Sequence, residues 1–297
     1  MGAKVTICPY YLMNRPDPAL DRLQALLQRY SVSAHIFHSG PLCGLHDFDD
    51  NGMGQLHLLG RGPVEVHHAG ERLLVQAPSL LFYPRPLPHR FITDPATGAD
   101  LACANLAFGP GRDNPLARAL PPFLCLPLAE LQSAGPVLEL LFEEAFSRRC
   151  GRLAVVDRLF EVVLVLLLRH LLDSGRLRGG PLAGLGHPLL ARALVAMHER
   201  PAEPWTLDSL AHVAGMSRSR FADVFAQTVG QPPARYLAGF RIALAQDALR
   251  RGEPLERIAE QVGYGSGAAL SRAFSAECGL SPRQWRRQAG GHSGLQC

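Results

Sequence analysis

The chain has 297 residues, 47% apolar and 19% charged, with a formal net charge of +4, which is length enough for two domains with proper cores and the composition of a soluble globular protein. The longest apolar run, Val162 to Leu168, lies between Glu161 and Arg169 and falls far short of the ~20 residues that cross a bilayer, so no membrane span is expected. The start lacks a basic segment followed by an apolar run. The seven cysteines are odd in number and scattered, which excludes an extracellular disulfide framework and makes a reducing cytoplasm the expected compartment.

A helix is expected from about Asp17 to Tyr30, with Leu20, Leu23, Leu26 and Leu27 on one face. The period then changes. Val32 to Phe37, Gln55 to Leu59, Val64 to His68, Leu73 to Gln76, Leu80 to Tyr83 and Leu101 to Phe108 are short and rich in β-favouring residues, with Gly, Pro and Asp between them. They predict a small antiparallel barrel or sandwich. Val137 to Phe146 and Leu153 to Leu172 read as two helices. The second carries Leu159, Phe160, Val162, Val163, Leu166, Leu167 and Leu171 on more than one face, so something must bury it. Ser174 to Gly186, rich in Gly, reads as a flexible linker.

The last hundred residues hold one pattern twice. Leu210, Ala211, Gly215, Ser217, Phe225, Gly230, Pro233 and Tyr236 correspond to Ile258, Ala259, Gly263, Ser266, Phe274, Gly279, Pro282 and Trp285, at an offset of 48 residues up to the glycine and 49 from the serine onward. Each copy reads as a helix-turn-helix: an apolar helical face, a glycine able to take φ > 0, then a serine placed to cap the next helix. In the first copy that helix runs from about Arg218 to Val229, with Phe221, Val224, Phe225 and Val229 inward and Ser219, Ala222, Asp223, Ala226 and Gln227 outward. In the second, Leu270, Ala273 and Phe274 are inward and Ala268, Ser271, Arg272 and Ser275 outward. One long helix, Arg235 to Arg251, joins the copies and can set two recognition helices in successive major grooves, roughly 34 Å apart. From Arg200 onward there are twelve arginines and eight acids, while residues 1–199 balance. The whole positive excess therefore lies on this half, as attraction to phosphates requires.

The stretch from about His187 to Arg287 resembles the DNA-binding domain of the AraC/XylS family of transcription regulators, most specifically in IAEQVGYGSGAALSRAFSAECGLSPRQWRR and also in LAHVAGMSRSRFADVFAQTVGQPPARYL. One departure stands out. Gly267, Ala268 and Ala269 occupy outward positions that can carry long polar side chains in the family, which leaves base reading by that helix to Arg272 or to apolar contact with thymine methyls. The resemblance implies double-stranded promoter DNA as partner, with contacts from Ser217, Arg218, Ser219, Arg220, Asp223 and Gln227 in the first copy and Ser266, Ala268, Ser271 and Arg272 in the second. RNA polymerase is a further partner if the protein activates. Helices placed like Leu153 to Leu172 pair subunits in related regulators, which implies a homodimer.

The N-terminal motifs PLCG (Pro41 to Gly44), HLLGRG (His57 to Gly62), PRPLPHRF (Pro84 to Phe91) and LACANLAF (Leu101 to Phe108) resemble the cupin barrel of some members of that family. Cys43, His57, His89 and Cys103 each sit in one of these motifs. Paired as in a cupin, they would converge, and two thiolates with two imidazoles suit tetrahedral zinc. The same grouping suits a redox switch. Ordinary burial of Cys and His is the structural alternative, and a small organic effector in the barrel is another.

The expected organisation is α+β. A cupin-like antiparallel barrel spans residues 1–130, a helical dimerisation segment 131–173, a linker 174–186, a double helix-turn-helix domain 187–290 and a tail 291–297. A regulator that is not an enzyme fits best. The alternative is a metal-dependent cupin enzyme fused to a DNA-targeting module, but a Cys₂His₂ set tends to close the coordination shell that oxygen chemistry needs open. No nucleophile elbow, P-loop or dinucleotide fingerprint is present.

Overall fold

Short runs of β-favouring residues, with glycine at several turns, build nine strands among the described residues: β1 Val32–Leu42, β2 Leu45–Phe48, β3 Gly54–Arg61, β4 Val64–His68, β5 Glu71–Val75, β6 Ser79–Tyr83, β7 His89–Ile92, β8 Ala99–Phe108 and β9 Leu124–Pro127. The computed structural model describes residues 20–29, 32–49, 51–108, 115–177 and 179–291. All pairs are antiparallel, in two sheets of order β1-β8-β3-β6-β9 and β2-β7-β4-β5. No ladder among the described residues joins one sheet to the other, so the expected barrel is an open, two-sheeted arrangement. Leu42, Leu59, Val64, Val66, Val75, Leu81, Phe91 and Leu101 form its core.

Two helices cover the five-stranded sheet, α2 being the short Pro115–Ala119 before them. Helix α3 (Gly135–Phe146) sets Phe142 against Gly60, where a Cβ would come within 3.1 Å of the ring. Helix α4 (Arg152–Asp173) runs along the free edge of β1. Its Asp157 accepts from the Ile36 amide at 2.7 Å, and its Glu161 from Ala34. Carboxylates thereby satisfy edge amides that would otherwise be open to another strand. Val156, Phe160, Val163, Leu164, Leu167 and Leu168 are buried within the unit, whereas Val155 and Val162 are exposed and Leu159 and Leu166 half-buried. These last four share one stripe at i, i+4, i+7 and i+11.

The second unit is helical: α5 Gly180–Gly186, α6 Leu190–Glu199, α7 Leu207–Val213, α8 Arg218–Val229, α9 Pro233–Arg250, α10 Leu255–Val262, α11 Gly267–Cys278 and α12 Pro282–Gly291. Two expectations change here. The glycine-rich segment taken as a linker contains α5, with Leu182 and Leu185 buried. Gly184 is there for close packing, since a Cβ would lie 2.6 Å from Leu194 and 2.9 Å from Val229. The N-terminal helix is shorter than expected, α1 Gln24–Arg29, and it belongs with the helical unit instead of the sheets. Leu23 and Leu26 are buried there, and Arg22 donates to the Leu185 carbonyl. Residues 17–19 and 30 of the expected helix, and 292–297 of the tail, lie outside the described residues. Among the described residues no helix is long and apolar enough to cross a membrane.

Candidate nucleic-acid interface and buried histidine cluster

In the first helix-turn-helix, Thr206 and Ser209 form a reciprocal capping box at the start of α7. Gly215, at φ 65°, then turns the chain into α8. Phe221, Phe225 and Val229 are buried, and Phe225 meets the Tyr236 ring of α9. That burial fixes which face points out. Ser217, Arg218, Ser219, Arg220, Asp223 and Gln227 are all exposed. Ser217 makes no side-chain cap, contrary to the expectation from its position. Arg218 instead lies 3.6 Å from Asp208 of α7.

In the second unit, Ile258, Ala259, Val262, Leu270 and Phe274 are fully or nearly fully buried with Ile242, Ala245 and Leu249 of α9. Gly263, at φ 79°, makes the turn, and a Cβ there would meet the Ala202 backbone at 2.6 Å. Ser266 caps α11 by accepting from the Ala269 amide. Trp285 of α12 stands edge-on to Phe274 and beneath Arg250. Ala268 and Arg272 are exposed, while Ser271 and Ser275 are half-buried. Of the three positions expected to face outward, Gly267 is buried and Ala269 half-buried, so only Ala268 stands out in solvent, with Arg272 one turn on.

In the β-rich unit, strand register places chemistry in rows. Across one sheet, His38, Cys103, His57, Leu81 and Cys125 are successive partners, and across the other Phe48, His89, His68 and Glu71. His57 and His89 meet between the sheets, Nε2 to Nε2 at 3.0 Å. The Leu87 carbonyl lies 2.8 Å from His89 Nδ1, which must donate to it. In a neutral ring the His89 Nε2 is then the acceptor, and His57 Nε2–H donates to it. This leaves His57 Nδ1 a bare acceptor, buried without a hydrogen-bond partner. Burial holds His57 well below the usual histidine range, and the neighbouring His89 adds to the effect. Burial likewise lowers His89, to about 4. Both rings are thus neutral near pH 7.

The sequence reading missed the rest of this cluster. Tyr83 stacks on His89 with centroids 4.0 Å apart, and its hydroxyl pairs with His68 Nδ1 at 3.0 Å. Phe48 stacks on the other side of His89. The signal was present at His68, which shares its strand parity with the buried Val64 and Val66. His68 and His89 line the floor of an open groove of about 420 Å³, bordered by Asp47, Asp49, Glu71, Arg72 and Arg90.

The four residues expected to converge do not all do so. Cys103 is fully buried and is the strand partner of His57. Cys43, one residue past the end of β1, is exposed, its sulfur against Gly98. Among the described residues no three His, Cys, Asp or Glu side chains are arranged to hold a metal ion. The four-donor zinc shell therefore does not fit this arrangement. Burial also pushes the Cys103 thiol far up, toward the inert protonated form.

Comparison with known proteins agrees with both halves. Residues 21–173 match the family described as Cupin, and residues 210–288 that described as Helix-turn-helix domain. An AraC-like transcription regulator of Streptomyces lividans is 39% identical over 186 residues, 61% of either chain. The transcriptional regulator AlkR of Acinetobacter baylyi is 35% identical over 185 residues, 59% of either chain. An HTH-type transcriptional regulator of Haemophilus influenzae is 27% identical over 294 residues, 90% of this chain and 98% of its own. The aligned part thus spans about three fifths of the length of the first two relatives.

Proposed function

The chain belongs to the AraC-type transcription regulators that carry a cupin domain, and from that premise we propose that it binds promoter DNA through both helix-turn-helix units while the β-rich unit receives the signal. The observation that carries this is the pair of recognition helices, α8 and α11, each with its aromatic face buried and its polar face exposed. Helix α9, 18 residues and so about 27 Å long, supports both units. Selection of bound sites from random duplex DNA by the whole protein should return two short half-sites about one helical turn apart. Failure to enrich any sequence would sink the reading.

We place the signal at the His57–His89 pair. Zinc or thiol chemistry there would need Cys43 to move inward or Cys103 to become accessible, whereas a small organic effector could reach His68 and His89 through the groove. Metal analysis of the purified protein with and without oxidant separates these. Bound zinc that disappears in Cys43→Ser supports the closed site, and metal-free protein that is indifferent to oxidant supports the organic effector.

Association as a homodimer is proposed through Val155, Leu159, Val162 and Leu166 of α4. Leu167, next to that stripe on the same helix, is committed to its own unit. Val162→Glu should give monomers by sedimentation with the β-rich unit folded, and a dimer that survives it would show that this stripe is not the contact.

A further inference from the structure

The two units fasten their recognition helices with the same pair of positions, used differently. In the first, Asp208 of α7 is ion-paired at 3.6 Å with Arg218, the first residue of α8, and both are largely exposed. The corresponding positions in the second are Glu256 of α10 and Gly267 of α11, at the offsets of 48 and 49. Gly267 has no side chain to pair. The carboxylate closes on the backbone instead: Glu256 Oε2 accepts from the Gly267 amide at 2.8 Å. A Cβ on Gly267 would sit 2.6 Å from Glu256 Oε1. The glycine that departs from the expected outward pattern is thus the one residue that lets this bond form without displacing the carboxylate. A negative group at the start of α11 also complements the helix dipole.

We propose that Glu256 is the positioning residue of the second recognition helix. By holding the first amide of α11 against α10 it sets the angle at which Arg272 meets DNA, and with it the discrimination at the second half-site. Arg272 lies five residues on, about 7.5 Å along the axis, so a tilt of ~10° moves its Cα by about 1 Å and its guanidinium further. Bidentate base contact does not survive that displacement. The inference rests on the DNA-binding reading above.

The test uses the full chain and the sites it selects from random DNA. Dissociation constants are measured for the selected site and for versions with the first or the second half-site scrambled, on the parent, Glu256→Ala, Glu256→Gln, Gly267→Ala and the Glu256→Ala/Gly267→Ala double variant. Glu256→Ala should lower discrimination at the second half-site by roughly 3- to 10-fold, the scale of a lost helix cap, and leave the first unchanged. Glu256→Gln keeps an acceptor and should keep the discrimination. Gly267→Ala forces the carboxylate to shift and should lose part of what Glu256→Ala loses, and the double variant little more than Glu256→Ala, because both changes act on one contact. Parental discrimination in both Glu256→Ala and Gly267→Ala overturns the proposal. An equal loss at both half-sites overturns it too, since it makes Glu256 a matter of general charge or stability. Should Glu256→Ala fail to fold by circular dichroism, Gly267→Ala and Glu256→Gln decide alone. A parent that enriches no sequence brings down the DNA-binding reading itself, an outcome visible before any variant is made.

Discussion

The helical unit carries its candidate chemistry outward, and the β-rich unit carries it inward. Arg218, Arg220, Asp223 and Arg272 stand in solvent on helices whose other faces are packed. His57 and Cys103 have no exposed surface, and His89 and His68 have very little. Exposed side chains of a recognition helix need only the helix beneath them to be in place. Buried imidazoles need every neighbour satisfied, and in this cluster His57 Nδ1 is not. Such an atom costs about 1–3 kcal/mol, so the helical unit is built for contact and the β-rich unit holds a cluster whose stability depends on its protonation.

Acid should therefore separate the two units, and this is the largest effect expected. The folded pKa of His89, about 4, lies below the ordinary 6.5, because burial disfavours the charged ring and His68 adds repulsion. The unfolded chain then binds a proton that the folded one refuses. Stability from this group is complete above pH 6.5 and is lost as pH falls through 6.5 toward 4, by on the order of 3 kcal/mol for His89 alone. His57, depressed in the same direction, adds to it. Both tryptophans, Trp205 and Trp285, belong to the helical unit, so their fluorescence reports that unit alone. Urea unfolding at pH 7 and pH 4.5 should show the β-rich transition, followed by amide hydrogen exchange of its strands, moving down much further than the tryptophan transition. Transitions that move together would break the comparison.

A smaller effect tests the outward half. Arg272 is the exposed basic side chain of α11, one turn on from Ala268, so Arg272→Ala should cost ~1–3 kcal/mol on the selected site and relax preference at one base position. Arg220→Ala, placed for a phosphate contact, should weaken specific and random DNA alike and reduce the slope of log K against log salt by about 0.9. If Arg272→Ala behaves as Arg220→Ala does, base reading lies elsewhere.

The same contrast explains what could be read from sequence. Phe221 with Phe225, and Leu270 with Phe274, fix the helical faces by spacing alone, and the outward residues follow from a count of 100° per residue. Inward chemistry depends on register between distant strands. The expectation for Cys43 failed by one residue: Leu42 is inside at the end of β1, and the next position faces out. The four-residue strands β2 and β7, too short for a clear period, were not predicted, and they carry Phe48 and His89. The fourth side of the cluster was legible in Val64, Val66 and His68, all of one parity. Helix α5 was hidden by its glycines, which looked like flexibility, and one of them, Gly184, serves close packing against Leu194 and Val229.

The finest division lies inside the helical unit, between two serines that occupy the same position of the repeat. Ser266 accepts from the Ala269 amide at 3.2 Å, so its hydroxyl satisfies one of the donors left open at the start of α11. Ser217 makes no such bond. Its place in the sequence is the same, but the chain enters α8 at φ −66° and ψ 152°, against φ −167° and ψ 159° at Ser266. The difference in φ swings the side chain relative to the amides that follow. Ser266→Ala should therefore lower stability by about 1 kcal/mol, and Ser217→Ala by no more than a few tenths, both read from tryptophan-detected urea unfolding. The order should reverse on DNA, because a hydroxyl free of the cap at Ser217 is available to a phosphate oxygen while that of Ser266 is already engaged. Equal stability losses would mean that Ser217 caps α8 in solution after all, and the two turns would then be fastened alike.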